Sequence, residues 1–178
     1  YQFQPELPFV PGGECAGVVE AIGSDVSRWK VGDEVVQMGM AGGFADSLVV
    51  NENSLLPKPS ALSMTEAAGI GITYFTSYYA LVQRANIQPG ETLLVLGAAG
   101  GVGSTAAELG KALGAHVIAA ASSDDKLELC KTLGADEVIN YSTEDLKARV
   151  KEITNGRGVD VVYDPVGGDF SEIALRSM

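Results

Sequence analysis

Thr92-Leu-Leu-Val-Leu-Gly97-Ala-Ala-Gly100-Gly101-Val-Gly103-Ser104 is the stretch on which the reading of this chain turns. Thr92–Leu96 has the length and apolar character of a strand buried on both faces of a parallel sheet. Glycines follow directly, and helical spacing then runs through Val102, Ala106, Leu109 and Leu113 to Gly114, a good C-terminal cap. A glycine-rich turn in that position has a physical use. Without side chains the backbone can approach a pyrophosphate closely. The unpaired N–H groups of the helix start, together with the helix dipole, favour its negative charge. A glycine pattern alone is a weak signal, and a purely structural turn is the alternative. The flanking strand and helix are the context that the pattern requires.

Downstream the pattern alternates. A strand is expected over residues 117–121, then a helix through Leu127, Cys130 and Leu133 capped by Gly134, then a strand over 137–140. Ser142 is placed to cap a third helix carrying Leu146, Val150 and Ile153 on one face, and Asn155-Gly156 turns into a strand over 159–163. The phrases Gly114-Ala-His-Val-Ile118 and Gly134-Ala-Asp-Glu-Val-Ile139 mark the same helix-to-strand return twice. The order β-α-β-α-β-α-β predicts an α/β fold with a Rossmann-type doubly wound parallel sheet. Four strands are present where six complete such a sheet, so it reads as C-terminally truncated.

Upstream the texture differs. Residues 18–22 read as a strand ending at Gly23-Ser24-Asp25, Gly32-Asp33 punctuates before a strand over 34–36, and Gly42-Gly43 precedes one over 44–50. Short strands with glycine turns predict a small barrel or sandwich. Leu56-Pro57-Lys58-Pro59 reads as a connector. Ser63-Met-Thr-Glu66 is a capping box opening a helix rich in Ala and Tyr, with interruptions expected near Gly69 and Gly71, and Pro89-Gly90 is a turn. The expected organisation is a partial β-rich domain over 1–60 and a partial nucleotide-binding domain over 61–178.

The balance of 46% hydrophobic and 20% charged residues is that of a soluble globular chain, and no apolar run reaches the eighteen residues of a membrane span. A net charge of -11 argues against nucleic-acid and membrane partners, because phosphate backbones are held by clustered Lys and Arg. A local basic pocket for one cofactor phosphate remains open. Cys15 and Cys130 form neither a disulfide framework nor a Cys-x-x-Cys pair, which fits a reducing, cytoplasmic setting. His116, the only histidine, stands at a strand start and reads as structural. With two scattered cysteines it supplies neither a zinc site nor a Ser-His-Asp triad, so no metal is expected. The chain opens at Tyr1 without a methionine and is read as an excerpt of a longer protein.

Readers of NAD usually place Asp or Glu at the end of the second strand. Here that strand ends Ala119-Ala120-Ala121-Ser122-Ser123. Ser122 can hydrogen-bond the extra phosphate of NADP, and Lys126 lies within one helical turn to supply positive charge. The counter-reading takes Asp124 or Asp125 as the ribose reader, although Asp124 is also a natural N-cap. NADPH is the expected cofactor.

With these motifs placed, the sequence resembles the medium-chain dehydrogenase/reductase superfamily in its zinc-free quinone oxidoreductase, or zeta-crystallin-like, branch. The resemblance rests on Leu7-Pro-Phe-Val-Pro-Gly-Gly-Glu14, Ala16-Gly-Val-Val-Glu20, Val31-Gly-Asp33, Glu66-Ala-Ala68, Pro89-Gly-Glu91, Ala98-Ala-Gly-Gly-Val-Gly103, Gly134-Ala-Asp136, Ile139-Asn-Tyr141 and Val162-Tyr-Asp-Pro-Val-Gly167, in that order. It implies a GroES-like catalytic domain over the first sixty residues and a substrate cleft between the two domains. Zinc-dependent relatives carry Gly-His-Glu where this chain has Gly12-Gly13-Glu14, and a cysteine-rich lobe where Met38-Gly-Met-Ala-Gly42 runs straight on.

The resemblance also implies roles residue by residue. Thr76 matches a threonine on the nicotinamide side, with a plain helix-interior Thr as the alternative. Gly100, Gly101, Val102, Gly103 and Ser104 match the pyrophosphate turn. Ser122, Lys126 and Tyr141 match the adenosine-phosphate pocket, where Tyr141 reads otherwise as an aromatic covering the sheet. Val166 and Gly167 match the loop bordering the cofactor, and Tyr1 matches a tyrosine near the substrate. The implied activity is hydride transfer from NADPH to a quinone or α,β-unsaturated carbonyl, with Tyr1, solvent or a ribose hydroxyl as donor to the developing oxyanion. An enoyl-thioester reductase and a non-catalytic, crystallin-like or regulatory NADPH-binding protein are the alternatives. A homodimer is implied for the complete protein.

Overall fold

The computed structural model describes residues 4–178, which divide into two compact units, one ending at Ile72 and one running from Thr73 to Met178. Tyr1 lies outside the described residues.

The first unit is built on a three-stranded antiparallel sheet of β1 (Glu14–Val18), β2 (Glu34–Met38) and β3 (Leu55–Pro57), with β2 in the centre. β2 runs two residues past the expected 34–36, and the strands depart further from the expected ones in three other places. The first lies earlier than 18–22, because β1 pairs with β2 from Glu14 opposite Met38 to Val18 opposite Glu34, and the ladder then runs out at the Gly32-Asp33 turn. Residues 44–50 form turns and bends rather than a strand. Gly43 and Phe44 donate their N–H groups back to Gly12 O (2.9 Å) and Pro11 O (3.0 Å), and Val49 is exposed. The expected connector instead contributes β3, where Pro57 can stand because an edge strand does not need every N–H.

The capping box forms as expected. Ser63 N–H donates to Glu66 Oε2 (2.8 Å) and Glu66 N–H to Ser63 Oγ (3.3 Å), opening α1 (Met64–Ala68). The helix breaks at Gly69 but not at Gly71, which lies inside α2 (Ile70–Tyr78) and packs against Met38. The first unit extends past residue 60 because α1 packs on β1 and β2, and because Glu14 Oε2 accepts Ile72 N–H (2.8 Å). After α2 the chain widens into a π-helix over Tyr79–Arg84, with Ala85 N–H bonding back to Ala80 O (2.8 Å).

The second unit is a four-stranded parallel sheet of β4 (Thr92–Leu96), β5 (His116–Ala121), β6 (Glu137–Asn140) and β7 (Val161–Tyr163), in the order β6-β5-β4-β7. The strands alternate with α3 (Gly101–Ala112), α4 (Asp124–Thr132) and α5 (Leu146–Ile153), and α6 (Asp169–Leu175) follows β7. Every residue of β4 is buried. The twofold alternation of a strand divides its side chains between two cores. Leu93, Val95, Val117 and Ala119 join Ala106, Ala107 and Cys130 on one face. Leu94, Leu96, Ile118 and Ala120 join Leu146, Val150 and Ala174 on the other. Helices therefore cover both faces, which makes the sheet doubly wound.

Two expected caps are replaced. Ser123, not Asp124, is the N-cap of α4, and Asp124 falls in its first turn. Asp145, not Ser142, caps α5 by accepting Ala148 N–H (2.8 Å), because three further residues of turn intervene before the helix begins. No helix among the described residues is long and apolar enough to cross a membrane.

Candidate dinucleotide site

From β4 the chain steps to β5 and β6 on one side, then returns to add β7 on the other. The strand order reverses between β4 and β7, and a crevice for a ligand opens outside the carboxyl ends of the strands at such a point. The glycine turn leaves β4 at this place. A Cβ on Gly97 would stand 2.9 Å from Val166 Cγ2, so the turn after β4 and the loop after β7 meet face to face.

The turn leads into α3 with Gly100 as N-cap and no side chain capping it. The first bond of the helix runs from Ser104 N–H to Gly100 O (2.8 Å), so the N–H groups of Gly101, Val102 and Gly103 precede the ladder. Gly100 and Gly101 are exposed, whereas Gly103 is buried. A Cβ at Gly103 would come within 2.2 Å of Gly97 O, which only glycine avoids. These features fit a pyrophosphate: a backbone cradle, open donors and the positive end of a twelve-residue helix. Ser104 turns its hydroxyl back on Gly101 O (3.0 Å) and its N–H closes the first helical bond, so it meets a ligand only if the hydroxyl rotates.

The loop after β7 is held by Asp164. Its Oδ1 accepts the N–H groups of Val166 and Gly167 (both 2.9 Å), and its Oδ2 accepts Ser171 Oγ–H (2.5 Å). Partial burial pushes the Asp164 carboxyl up, but the bonds from Gly167, Ser171 and Val166 outweigh it and hold the group below its ordinary range.

A second cluster sits at the ends of β5 and β6. Lys126 Nζ donates to Ser122 Oγ (2.9 Å), and Ser142 Oγ donates to Ser122 O (2.9 Å). Tyr141 follows β6, its N–H bonded to Ala121 O (3.1 Å) and its ring tilted against Phe170 with centroids 4.7 Å apart. Asp124 Oδ1 accepts Asn140 Nδ2 (2.8 Å).

Thr76 is exposed on α2. Its neighbours on that helix reach the turn instead: Thr73 Cγ2 would lie 3.4 Å from a Cβ on Gly101, and Ser77 Oγ donates to Val102 O (2.9 Å). Thr73, Ser77, Thr105, Asn140, Ser142 and Asp164 have no site role in the sequence reading, although Ser142 reads as a helix cap and Asn140 and Asp164 stand in the family motifs. Only Asp164 carried a signal, an acid directly before Pro165 in a glycine-containing loop.

A parallel sheet in this order, with a glycine turn at its reversal point, defines the Rossmann-type class of nucleotide-binding folds. Residues 1–60 match the family model for the alcohol dehydrogenase GroES-like domain, and residues 101–178 match that for zinc-binding dehydrogenases. The chain belongs to the medium-chain dehydrogenase/reductase superfamily, in its quinone oxidoreductase branch. It is 43% identical to a quinone oxidoreductase-like protein 2 homolog of Nematostella vectensis, over 99% of this chain and 48% of that protein. Among solved structures it matches the Escherichia coli quinone oxidoreductase complexed with NADPH, at 39% identity and a TM-score of 0.90, covering 98% of this chain and 54% of that one. It also matches the CurK enoyl reductase, at 36% identity and a TM-score of 0.87, covering 96% and 51%. The chain spans about half the length of the curated relatives it matches.

The second family description implies zinc, and the donors here do not fit it. Among the described residues no three His, Cys, Asp or Glu side chains stand together as a metal site. Cys130 is buried in the core, and His116 Nδ1 faces Asp136 Oδ2 at 3.6 Å. Asp136 itself accepts Val117 N–H (2.8 Å) and the Lys111 ammonium.

Proposed function

We propose that the chain is the cofactor-holding part of an NADPH-dependent oxidoreductase that passes hydride to a quinone or an α,β-unsaturated carbonyl without zinc. The observation that carries the NADPH preference is the Ser122–Lys126 pair (2.9 Å) at the end of β5. A hydroxyl beside an ammonium suits a phosphate, and no carboxylate ends the strand to repel it. Asp124, the competing ribose reader, has its Oδ1 engaged by Asn140.

When bound, the nicotinamide supplies the hydride. The chain's own groups hold and orient it. The first-turn N–H groups of Gly101, Val102 and Gly103 take the pyrophosphate, while Ser122, Lys126 and Tyr141 take the adenosine phosphate. Val166, Gly167 and Thr76 border the nicotinamide half. Tyr1 is the protein group assigned to the developing oxyanion, with solvent or a ribose hydroxyl in its place otherwise. Orientation of this kind carries much of the rate, with effective molarities that reach about 10⁵ M. Likeness to quinone oxidoreductases supports the acceptor class. Two free cysteines support a reducing, cytoplasmic setting, and the homodimer proposed for the complete protein rests on the family resemblance alone.

Titration calorimetry of NADPH against NADH, repeated on Lys126→Ala, tests the reading. NADPH is expected to bind at least about tenfold tighter, about 1.4 kcal/mol, with most of the difference lost in the variant. Equal affinities for the two cofactors overturn the phosphate pocket. A second reading, reduction of an enoyl thioester, is supported by the likeness to the CurK enoyl reductase. The complete protein with NADPH separates the two by which acceptor it turns over: a quinone, a simple enone or an enoyl thioester.

A further inference from the structure

Three hydroxyls from three elements meet beneath the glycine turn. Ser77 on α2 is completely buried, and its Oγ lies 2.8 Å from Thr105 Oγ1 on α3 and 3.1 Å from Tyr163 OH at the end of β7. It donates to Val102 O (2.9 Å) in the first turn of α3, and Thr105 Oγ1 also lies 3.2 Å from Thr73 O on α2. A hydroxyl has one hydrogen to give and two lone pairs to fill. With its hydrogen on Val102 O, Ser77 accepts from Tyr163 and from Thr105, whose one hydrogen then goes to Ser77 rather than to Thr73 O, and Ser77 reaches its full capacity. Burial makes each of these bonds costly to lose.

The placement gives the network a direction. A dinucleotide at the reversal point has its pyrophosphate on the α3 turn and spreads across β4. The Ser122–Lys126 pair lies at the end of β5, on one side of β4. Tyr163 ends β7, on the other side, and directly precedes the Asp164 loop that meets Gly97. The hydroxyl network therefore underlies the half of the site away from the adenosine phosphate.

We propose that Ser77 is a positioning residue for the nicotinamide half of the cofactor, joining α2, the first turn of α3 and the end of β7 into one rigid wall through the hydroxyls of Thr105 and Tyr163. This rests on the NADPH reading above. The network touches no ligand itself; it fixes the elements that do.

The test compares two probes, NADPH and 2′,5′-ADP, the latter carrying the adenosine phosphate without the nicotinamide. Both are titrated into the chain and into the Ser77→Ala and Tyr163→Phe variants, whose folding is checked by circular dichroism. The Tyr163→Phe change removes one bond and keeps the ring, so it serves even if Ser77→Ala fails to fold. NADPH affinity is expected to fall about tenfold in a folded variant, the equivalent of about one hydrogen bond, while 2′,5′-ADP affinity stays within about twofold. Equal loss for both probes shows a merely structural role and overturns the proposal, as does no loss for NADPH. Failure of the unsubstituted chain to bind either probe overturns the dinucleotide reading and this proposal with it. Binding of 2′,5′-ADP with no gain from the nicotinamide half overturns this proposal alone.

Discussion

Asp164 shows how a single side chain shapes the site from behind. It receives two backbone N–H groups and one hydroxyl, and they hold the Val166-Gly167 loop against the glycine turn. Because its carboxyl is held below the ordinary range, its contribution to stability is present above the unfolded pKa and is lost as pH falls through the folded one. Amide hydrogen exchange at Val166 and Gly167, corrected for its intrinsic pH dependence, should show protection falling as pH drops from about 6 to about 3. In Asp164→Asn the amide oxygen can still accept both N–H groups, so some protection should remain, but its fall with pH should disappear. An unchanged pH dependence in that variant would remove Asp164 from the explanation. The same scale marks the limit of what the sequence revealed about the site. The turn at Gly100 to Gly103 was legible as a feature because a buried strand stands directly before it and a helix directly after it. Ser77 was not, since one serine among the tyrosines of α2 leaves no periodic trace, and only the fold brings Thr105 and Tyr163 to it. Thr76, one position earlier, came from family likeness rather than from spacing.

Among the elements, β4 and β6 were legible to the residue: β4 because a strand covered on both faces is apolar along nearly its whole length, and β6 because the Gly134-Ala-Asp return before it and the turn after it bracket it. β5 missed by one residue, where His116 begins the ladder opposite Thr92. The small antiparallel sheet was much less legible. β1 is partly exposed along its whole length, so hydrophobic pattern does not fix its ends, and β3 is too short to leave a pattern at all. Residues 44–50 carry strand-forming side chains, but Gly43 and Phe44 find their hydrogen-bond partners in Gly12 O and Pro11 O. The caps failed for a related reason: Ser142 and Asp145 are both good N-caps, and the choice depends on how far the turn after β6 runs. Burial predicts where substitution hurts most. Leu94→Ala removes a fully buried side chain from the centre of the core shared with Leu146 and Val150, and should cost about 2–5 kcal/mol. Chemical denaturation should show the loss as a lower midpoint with little change in slope. A cost below about 1 kcal/mol would mean that this core repacks freely.

Across the whole chain, the placement of β7 beside β4 has a consequence in time. Neighbours β4 and β5 join residues 93 and 117, and β5 and β6 join residues 120 and 139. The last pairing joins residues 93 and 161, closing a much longer loop before any contact rewards it. The first three strands can therefore zip together from successive local units, while β7 waits for the intervening helices. During refolding, pulse-labelled exchange should find the amides of β5 and β6 protected before those of β7. Simultaneous protection would mean that the sheet forms in one concerted step. Since the facing of Gly97 and Val166 exists only once β7 has docked, that order would place the ligand crevice among the last things the chain forms. A cofactor arriving early meets the glycine turn without its opposite wall. Its tight capture is then a report that the sheet has closed, and a ligand that holds the two sides together should slow the departure of β7 more than it speeds its arrival.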